Sequence, residues 1–244
     1  MWKLIGFLAV VALAFGQCVG VSERDALVAI YNSTGGLTWN ANNWEPLNPA
    51  SDYCQWTGVG CNGQGLVLYL DLSSLNLTGS LPDEIGCLPF LKSLLLNNNP
   101  LMVTGIPDTI CQLVNLKYFQ ASFSGLLGAI PECICTLQHV QYFYVDDNAL
   151  TGEIPQCIAG MTHLREFHAK CNDLTGAVPE GFDDLMYLEE VRVQCNSGLE
   201  CTPLDADIIY LCGDLDECVD CPLTPQQCPT SVFIDGCGTY FPPA

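Results

Sequence analysis

The chain has 244 residues, 49% of them hydrophobic, and a formal net charge of −20. With 27 acidic and only 7 basic side chains, it lacks the clustered lysine and arginine that nucleic acids and anionic membrane surfaces require of a partner, so both partner classes are excluded. The apolar content is sufficient for a packed core and excludes an intrinsically disordered chain.

Residues 1–16 are predicted to be a secretory signal peptide, with Lys3 as the charged start of an apolar run that ends in small residues. The run is shorter than the roughly 20 residues that span a bilayer, so we expect no membrane insertion. Cleavage after Gly16 keeps all 16 cysteines, whereas cleavage after Gly20 removes Cys18. An even number of cysteines allows all of them to pair, which favours cleavage after Gly16. We expect the mature chain to be soluble, secreted and extracellular.

Residues 17–66 are predicted to form an N-terminal cap. Ser22 followed by Asp25 is typical of a helix start, and apolar residues follow at helical spacing. The helix is predicted to end at residues 32–36, where glycine follows polar residues. Three tryptophans follow, and their large apolar rings are suited to covering the exposed end of the first coil. They are Trp39, Trp44 and Trp56.

A repeat with a fixed period begins at Val67. Its strand-like segments start 24, 25, 24, 24 and 24 residues apart, at Val67, Leu91, Leu116, Val140, Leu164 and Leu188. A period of this length is typical of a solenoid, in which each unit covers the apolar face of the next. A recurring asparagine can bond turn backbone groups. Leu75 and Ser124 interrupt that column, so the first and third repeats are predicted to close differently.

The frame L-x-x-L-x-L-x-x-N-x-L-T-G-x-I-P resembles the plant-specific class of leucine-rich repeats, found in receptor ectodomains and polygalacturonase-inhibiting proteins. The stretch from Cys54 to Cys61 resembles the C-x-W-x-G-V-x-C cap of that family. The resemblance implies an α/β leucine-rich-repeat solenoid, right-handed, with about six 24-residue repeats over residues 67–204. A parallel β-sheet would line the concave face, with 3₁₀ or extended segments on the convex side. Residues 205–244 would form a cysteine-rich C-terminal cap or extension.

Cysteines in an exported chain are expected to form disulfides, not metal sites. The family resemblance implies the pair Cys54–Cys61. Equivalent positions in adjacent repeats are about 4.8 Å apart, within reach of a disulfide, which predicts the pairs Cys133–Cys157 and Cys171–Cys195. Cys111 is equivalent to Cys135 and one position out of register with Cys87. Either of these two cysteines could be its disulfide partner, and the choice stays open. We assign no connectivity to the six cysteines after residue 200.

The outward positions of the predicted strands form the concave face, and they gather most of the candidate binding residues. Five of the 7 basic side chains fall on this face or directly beside it: Lys92, Lys117, Arg165, Lys170 and Arg192. Tyrosine and arginine often anchor interfaces. The predicted partner-binding set is Lys92, Lys117, Tyr118, Phe123, Tyr142, Tyr144, His168 and Arg192. The alternative is a solvated sheet face with ordinary cross-strand packing.

The sequence favours a protein without enzymatic activity. His168 could lie beside carboxylates and act as an acid or base. However, a shallow sheet offers no pocket that excludes water, and no nucleophile or metal motif is present. A histidine on an exposed sheet is expected to be an ordinary surface residue. We therefore predict no catalytic residue, no cofactor and no metal site.

The predicted function is a secreted recognition module whose concave face binds an extracellular protein or a glycan of the cell surface or wall. By resemblance, the protein partner would be a hydrolase or a receptor. The alternative is a structural, self-assembling subunit of an extracellular matrix or filament. An ice- or mineral-binding surface would need a regular threonine or aspartate array, which the outward columns lack. Asn32 and Asn76 lie in glycosylation sequons.

Overall fold

The computed structural model describes residues 18–40 and 43–200, together with the backbone of residues 209–211. Its single described α-helix, α1 (Glu23–Ser33), begins at the predicted position because Ser22 caps it. The Ser22 hydroxyl accepts from the Asp25 amide at 3.1 Å, and the Asp25 carboxylate accepts from the Ser22 amide at 3.0 Å. This reciprocal capping satisfies two amides that a helix start leaves without partners.

Within the described residues, the main sheet has eight strands. The first two pair antiparallel, and each later coil adds one strand. The strands, in spatial order, are β1 (Val59–Cys61), β2 (Val67–Asp71), β4 (Ser93–Leu95), β6 (Tyr118–Gln120), β8 (Tyr142–Tyr144), β10 (Glu166–His168), β12 (Glu190–Arg192) and β14 (Ile209–Leu211). From β2 onward all pairs are parallel. The strand β14 lies beyond residue 204, so the parallel ladder continues one strand further than the repeat pattern predicts.

Short 3₁₀ helices form the opposite side of the coils, and most of them follow a proline. They span Asp83–Cys87, Asp108–Gln112, Glu132–Thr136, Gln156–Gly160 and Phe182–Asp184, and two more lie in the cap at Gly36–Thr38 and Tyr53–Gln55. Proline at the residue before the helix presets φ and needs no amide partner there. The predicted 3₁₀ side of the solenoid is thereby confirmed.

The L-T-G segments form further parallel strands that the repeat pattern did not specify. Four of them make a second sheet in the order β13 (Gly198–Glu200), β11 (Asp173–Ala177), β9 (Ala149–Glu153) and β7 (Leu127–Gly128). A two-stranded sheet joins β3 (Thr78–Gly79) to β5 (Leu101–Met102). Gly152 and Gly176 each have φ of 78° in these strands, a conformation that glycine adopts without steric cost.

The core lies between the main sheet and the 3₁₀ helices. Phe119, Phe143 and Phe167 stack one per coil, with ring centroids 5.1 and 5.6 Å apart. At the N-terminal end, Trp44 packs between Trp39 at 5.0 Å and Trp56 at 4.8 Å. All of these side chains are buried, so the tryptophans cover the first coil as the sequence predicts.

The disulfides differ from most of the predicted pairs. The structure contains Cys54–Cys61, but it joins Cys133 to Cys111 and Cys157 to Cys135, so the predicted pair Cys133–Cys157 is wrong. Cys87 pairs with Cys18, so neither partner considered for Cys111 was right. Cys171 is buried and is not disulfide-bonded, whereas Cys195 is, so the predicted pair Cys171–Cys195 is also wrong.

The physical reason is the direction of the side chains. Equivalent positions in stacked coils have parallel Cα–Cβ bonds, so their sulfur atoms do not converge. Cys111 is the fourth residue of one 3₁₀ helix and Cys133 is the second residue of the next, and this diagonal pair has a Cα–Cα distance of 5.8 Å. Cys135 and Cys157 repeat the same relation with the same Cα–Cα distance, 5.8 Å. The remaining C-terminal cysteines lie outside the described residues.

Candidate functional site on the concave face

A row of stacked rings crosses the concave face, and we call Tyr118, Tyr142, Tyr144 and His168 the aromatic row. Strand register places Tyr118 beside Tyr142 and His168 beside Tyr144. The first pair stacks with ring centroids 5.0 Å apart, and the second pair with centroids 4.4 Å apart. Tyr142 meets Tyr144 edge-on at 6.2 Å. The predicted central tyrosines therefore form one continuous surface across β6, β8 and β10.

His168 is the buried end of this row and not the exposed residue that the sequence suggested. Its side chain is only 8% exposed. Its Nε2 lies 3.4 Å from a carboxylate oxygen of Glu166 and 3.4 Å from one of Glu190, while its Nδ1 lies 3.9 Å from Asp146. We call Asp146, Glu166, His168 and Glu190 the carboxylate–histidine cluster.

Hydrogen bonds hold the carboxylates of this cluster in place. The Tyr144 hydroxyl donates to Glu166 Oε2. Arg192 Nε donates to Glu190 Oε1 at 2.7 Å, and the Lys170 amide donates to Asp146 Oδ1 at 3.0 Å. In Glu190 and Asp146 the second carboxylate oxygen faces the imidazole. In Glu166 the same oxygen, Oε2, accepts from Tyr144 and faces the imidazole.

Burial shapes the electrostatics of the cluster. Burial, followed by the nearby Arg192 guanidinium, lowers the pKa of His168, because removal from water disfavours the charged imidazolium. Burial raises the pKa of the Asp146 carboxyl to about 6, although its bond from the Lys170 amide opposes the shift. Burial and the hydrogen bond to Glu166 raise the pKa of Tyr144. Burial therefore favours the neutral form of the His168 imidazole.

The basic residues of the concave face divide into two groups. Arg165 pairs with Glu189, Lys170 lies 3.7 Å from Asp147, and Arg192 pairs with Glu190. Within the described residues, Lys92 and Lys117 form no ion pair, and Lys92 is exposed. The face therefore presents less unpaired positive charge than its sequence predicts.

Phe123 does not join the aromatic row. It is half-buried in the turn after β6, where its φ is 54°, and within the described part of the chain it makes no ring contact with the four row residues. The sequence suggested Glu166 as a neighbour of His168, but the predicted partner-binding set contained neither Glu166 nor Glu190. The signal was present, because Glu166 and His168 are two apart on one strand and Glu190 is 24 residues after Glu166, at the same repeat position.

The repeats match known family profiles. The leucine rich repeat N-terminal domain matches residues 22–62, and the Leucine Rich Repeat matches residues 67–88 and 90–113. This is a leucine-rich-repeat solenoid. A leucine-rich-repeat relative is MDIS1-interacting receptor like kinase 1 of Arabidopsis thaliana, 36% identical over 107 residues, which are 44% of this chain and 10% of that protein. The chain thus spans a tenth of that relative's length.

Solved structures share the solenoid fold. A plant ice-binding protein superposes with a TM-score of 0.65 at 26% identity, over 72% of this chain and 56% of its own. The BIR3–SERK2 complex of Arabidopsis thaliana gives a TM-score of 0.61 at 27% identity, covering 74% of this chain and 96% of that one. The plant peptide hormone receptor RGFR1 in complex with RGF2 gives a TM-score of 0.55 at 32% identity, covering 60% of this chain and 22% of that one.

The solenoid therefore has the fold of plant receptor ectodomains that bind peptides or proteins. Among the described residues, no helix has the length and apolar character that crossing a bilayer requires.

Proposed function

We propose that this leucine-rich-repeat solenoid is a secreted, non-enzymatic recognition module that binds an extracellular protein or peptide through its concave face. The observation that supports this most directly is the aromatic row, which offers three adjacent tyrosine rings on a rigid parallel sheet. Rigid aromatic side chains give large contact areas at a small cost in conformational entropy. Of the solved structures with this fold, one is a complex of BIR3 with SERK2 and another is a plant peptide hormone receptor in complex with RGF2.

The size and charge of the face fit such a partner. The six parallel strands from β2 to β12, at the usual spacing of about 4.8 Å, give a sheet nearly 30 Å wide. This width is enough for a patch of about 800 Å² per partner. Lys92 and Lys117 lie near the end of the aromatic row that belongs to the earlier coils. The carboxylate–histidine cluster lies at the end that belongs to the later coils. A partner with an acidic segment on one side of an apolar centre would complement this arrangement.

The proposal is tested by a random peptide display library selected on the purified protein. We expect enriched peptides to bind the wild type and to lose about 100-fold in affinity when Tyr118, Tyr142 and Tyr144 are replaced together by alanine, because central aromatic residues dominate interface energies. Affinities would be measured by titration calorimetry, and circular dichroism would confirm that the variant keeps its fold.

The matched control is the pair Phe90→Ala and Tyr187→Ala, which removes exposed aromatic rings outside the sheet strands. That variant should bind the enriched peptides as the wild type does. Unchanged binding by the triple variant, or an equal loss in the control, would refute the concave face as the binding surface. A glycan array probed with the same three proteins separates peptide binding from glycan binding.

The plant ice-binding protein gives no reason for a second candidate function. Its likeness to this chain lies in the fold, and the outward columns of β2 to β12 contain no repeated threonine or aspartate array. Glycosylation at Asn32 and Asn76 remains part of the proposal. The Asn32 side chain is exposed at the end of α1, and Asn76 is half-exposed in a repeat turn.

A further inference from the structure

We propose that Glu166, His168 and Glu190 form a binding site for a divalent transition-metal ion of the Zn²⁺ type on the concave face. The three side chains are brought together by strand register, since β10 contributes the first two and Glu190 of β12 lies directly beside Glu166. One ligand atom from each side chain can be chosen so that all three atoms lie within 4.8 Å of one another. Imidazole nitrogen and carboxylate oxygen are ligand types that zinc accepts.

The distances fit a tetrahedral ion. Zinc bonds to nitrogen and oxygen are about 2.1 Å long, so the ligand atoms of a tetrahedral site are about 3.4 Å apart. His168 Nε2 lies 3.4 Å from Glu166 Oε2 and 3.4 Å from Glu190 Oε2. Two edges of the tetrahedron are therefore already in place, and the third, between the two glutamate oxygens, is no longer than 4.8 Å.

The imidazole nitrogen supplies an independent indication of a ligand. Among the described residues, His168 Nε2 has no hydrogen bond of good geometry, and its side chain is only 8% exposed. It faces carboxylate oxygens of Glu166 and Glu190 at 3.4 Å, which is longer than an ordinary N–H···O hydrogen bond. A buried polar atom without a partner is destabilising. A metal ion between the nitrogen and the two carboxylates would satisfy it.

Groups around the three ligands occupy the positions that support a metal site. Asp146 lies 3.9 Å from His168 Nδ1, the nitrogen that faces away from the two glutamates. A carboxylate that moves within hydrogen-bond distance of this nitrogen when the metal binds would fix the orientation of the ligating imidazole. Arg192 bonds Glu190 Oε1 and leaves Oε2 directed at the imidazole. Three ligands from the chain would leave a fourth position for water or for a group from a partner.

Metal titration tests this proposal directly. The protein, treated with EDTA and dialysed, is titrated with Zn²⁺ by calorimetry and with Co²⁺ by visible absorption. We expect one Zn²⁺ per chain with micromolar or tighter affinity, and Co²⁺ bands of the intensity that four-coordinate sites give. His168→Gln should weaken Zn²⁺ binding at least 100-fold, and Glu190→Gln at least tenfold.

The chain provides a matched control, because the other two of its 3 histidines, His139 and His163, lie together with ring centroids 5.6 Å apart. His163→Gln should leave the affinity unchanged. Binding that survives His168→Gln but is lost in His163→Gln would overturn the proposal in favour of that surface pair. Absence of stoichiometric binding at micromolar Zn²⁺ would also overturn it. If His168→Gln fails to fold, Glu166→Gln combined with Glu190→Gln gives the same test.

Discussion

Single buried asparagines join neighbouring coils through their amide groups. Asn148 Nδ2 donates to the carbonyl of Ala121 in the preceding coil at 2.8 Å and to that of Val145 in its own coil at 2.9 Å. Its Oδ1 accepts from the amides of Ser124 and Leu126. Asn99, Asn172 and Asn196 repeat this role in their coils. Each of these side chains satisfies backbone groups that would otherwise be buried without partners.

Ser124 shows how a coil closes without the asparagine. Its hydroxyl donates to the carbonyl of Leu96 at 2.8 Å, replacing one of the amide bonds. In the first repeat, where Leu75 occupies the column, the carbonyl of Leu75 accepts from the amide of Asn40 in the cap at 2.8 Å. These are the two repeats that the sequence predicts to close differently.

Asp147 should make the stability of the protein depend on pH. Burial raises the pKa of its carboxyl to about 6 in the folded protein, even though Lys170 lies nearby. The folded state therefore binds this proton more tightly than the unfolded chain, so its contribution to stability falls as pH rises from about 4 to about 6. Asp147→Asn removes this contribution and tolerates the φ of 55° at this position. As pH rises through that interval, we expect the free energy of unfolding of Asp147→Asn to increase relative to that of the wild type by up to about 3 kcal/mol.

Urea unfolding at several pH values in EDTA measures the difference between the two proteins. Titrating groups that do not interact with Asp147 are common to both proteins and cancel. Asp146 is not one of them, because, beyond burial, the charge of Asp147 raises its pKa. Asp173→Asn, at an exposed position of β11, is the control and should follow the wild-type curve. Parallel curves for wild type and Asp147→Asn would contradict the prediction.

At the scale of elements, the 3₁₀ helices of the convex side are cross-linked diagonally. The bonds Cys111–Cys133 and Cys135–Cys157 connect three consecutive helices, and Cys18–Cys87 ties the cap to the first of the series. Short 3₁₀ helices have poor hydrogen-bond geometry and few internal bonds. The disulfides therefore fix the side of the solenoid that the main sheet cannot hold.

Cys133→Ser distinguishes the diagonal pairing from the pairing predicted by repeat equivalence. We expect it to release the thiol of Cys111, which N-ethylmaleimide would label in denaturant and peptide mass spectrometry would locate. Labelling at Cys157 instead would show that the diagonal assignment is wrong. Replacing both Cys135 and Cys157 by alanine should lower the free energy of unfolding by about 3 kcal/mol, since a closed loop of this size constrains the unfolded chain.

At the scale of the whole molecule, each coil contacts only its neighbours, so the N-terminal cap protects an otherwise open core. Trp44 is central to that cap. Its ring lies 6.0 Å from Tyr31 in α1, and its indole nitrogen donates to the Thr57 carbonyl at 2.8 Å. Arg24 covers the adjacent Trp56, with its guanidinium carbon 5.0 Å from the ring centroid. Within the cap, these contacts join α1 to the Cys54–Cys61 loop.

Trp44→Ala should lower the stability of the protein by about 3–5 kcal/mol, because it leaves a large cavity in the cap. In a nearly one-dimensional fold the loss should be graded along the solenoid. We therefore expect amide hydrogen exchange to accelerate most in β2 and least in β12. Equal acceleration in both strands would show instead that all coils unfold as a single unit.

The sequence alone determined the solenoid, because a fixed repeat carries its apolar, glycine and asparagine positions in every unit. Each of these features is local, and the stacking of units follows from them. The same reasoning placed Tyr118, Tyr142 and Tyr144 on one face, since side chains alternate along a strand and parallel register repeats the pattern. The second sheet was missed because every one of its strands contains a glycine, a residue that weakens a strand pattern.

Only the tertiary structure decided the disulfide pairs and the environment of His168. Repeat arithmetic gives the position of a residue within a coil but not the direction of its Cα–Cβ bond, and a disulfide depends on that direction. It likewise gives columns of residues but not the depth to which each side chain is covered. Tyr144 and the carboxylates of three different turns and strands enclose His168, so a residue at an outward position becomes buried through contacts between coils.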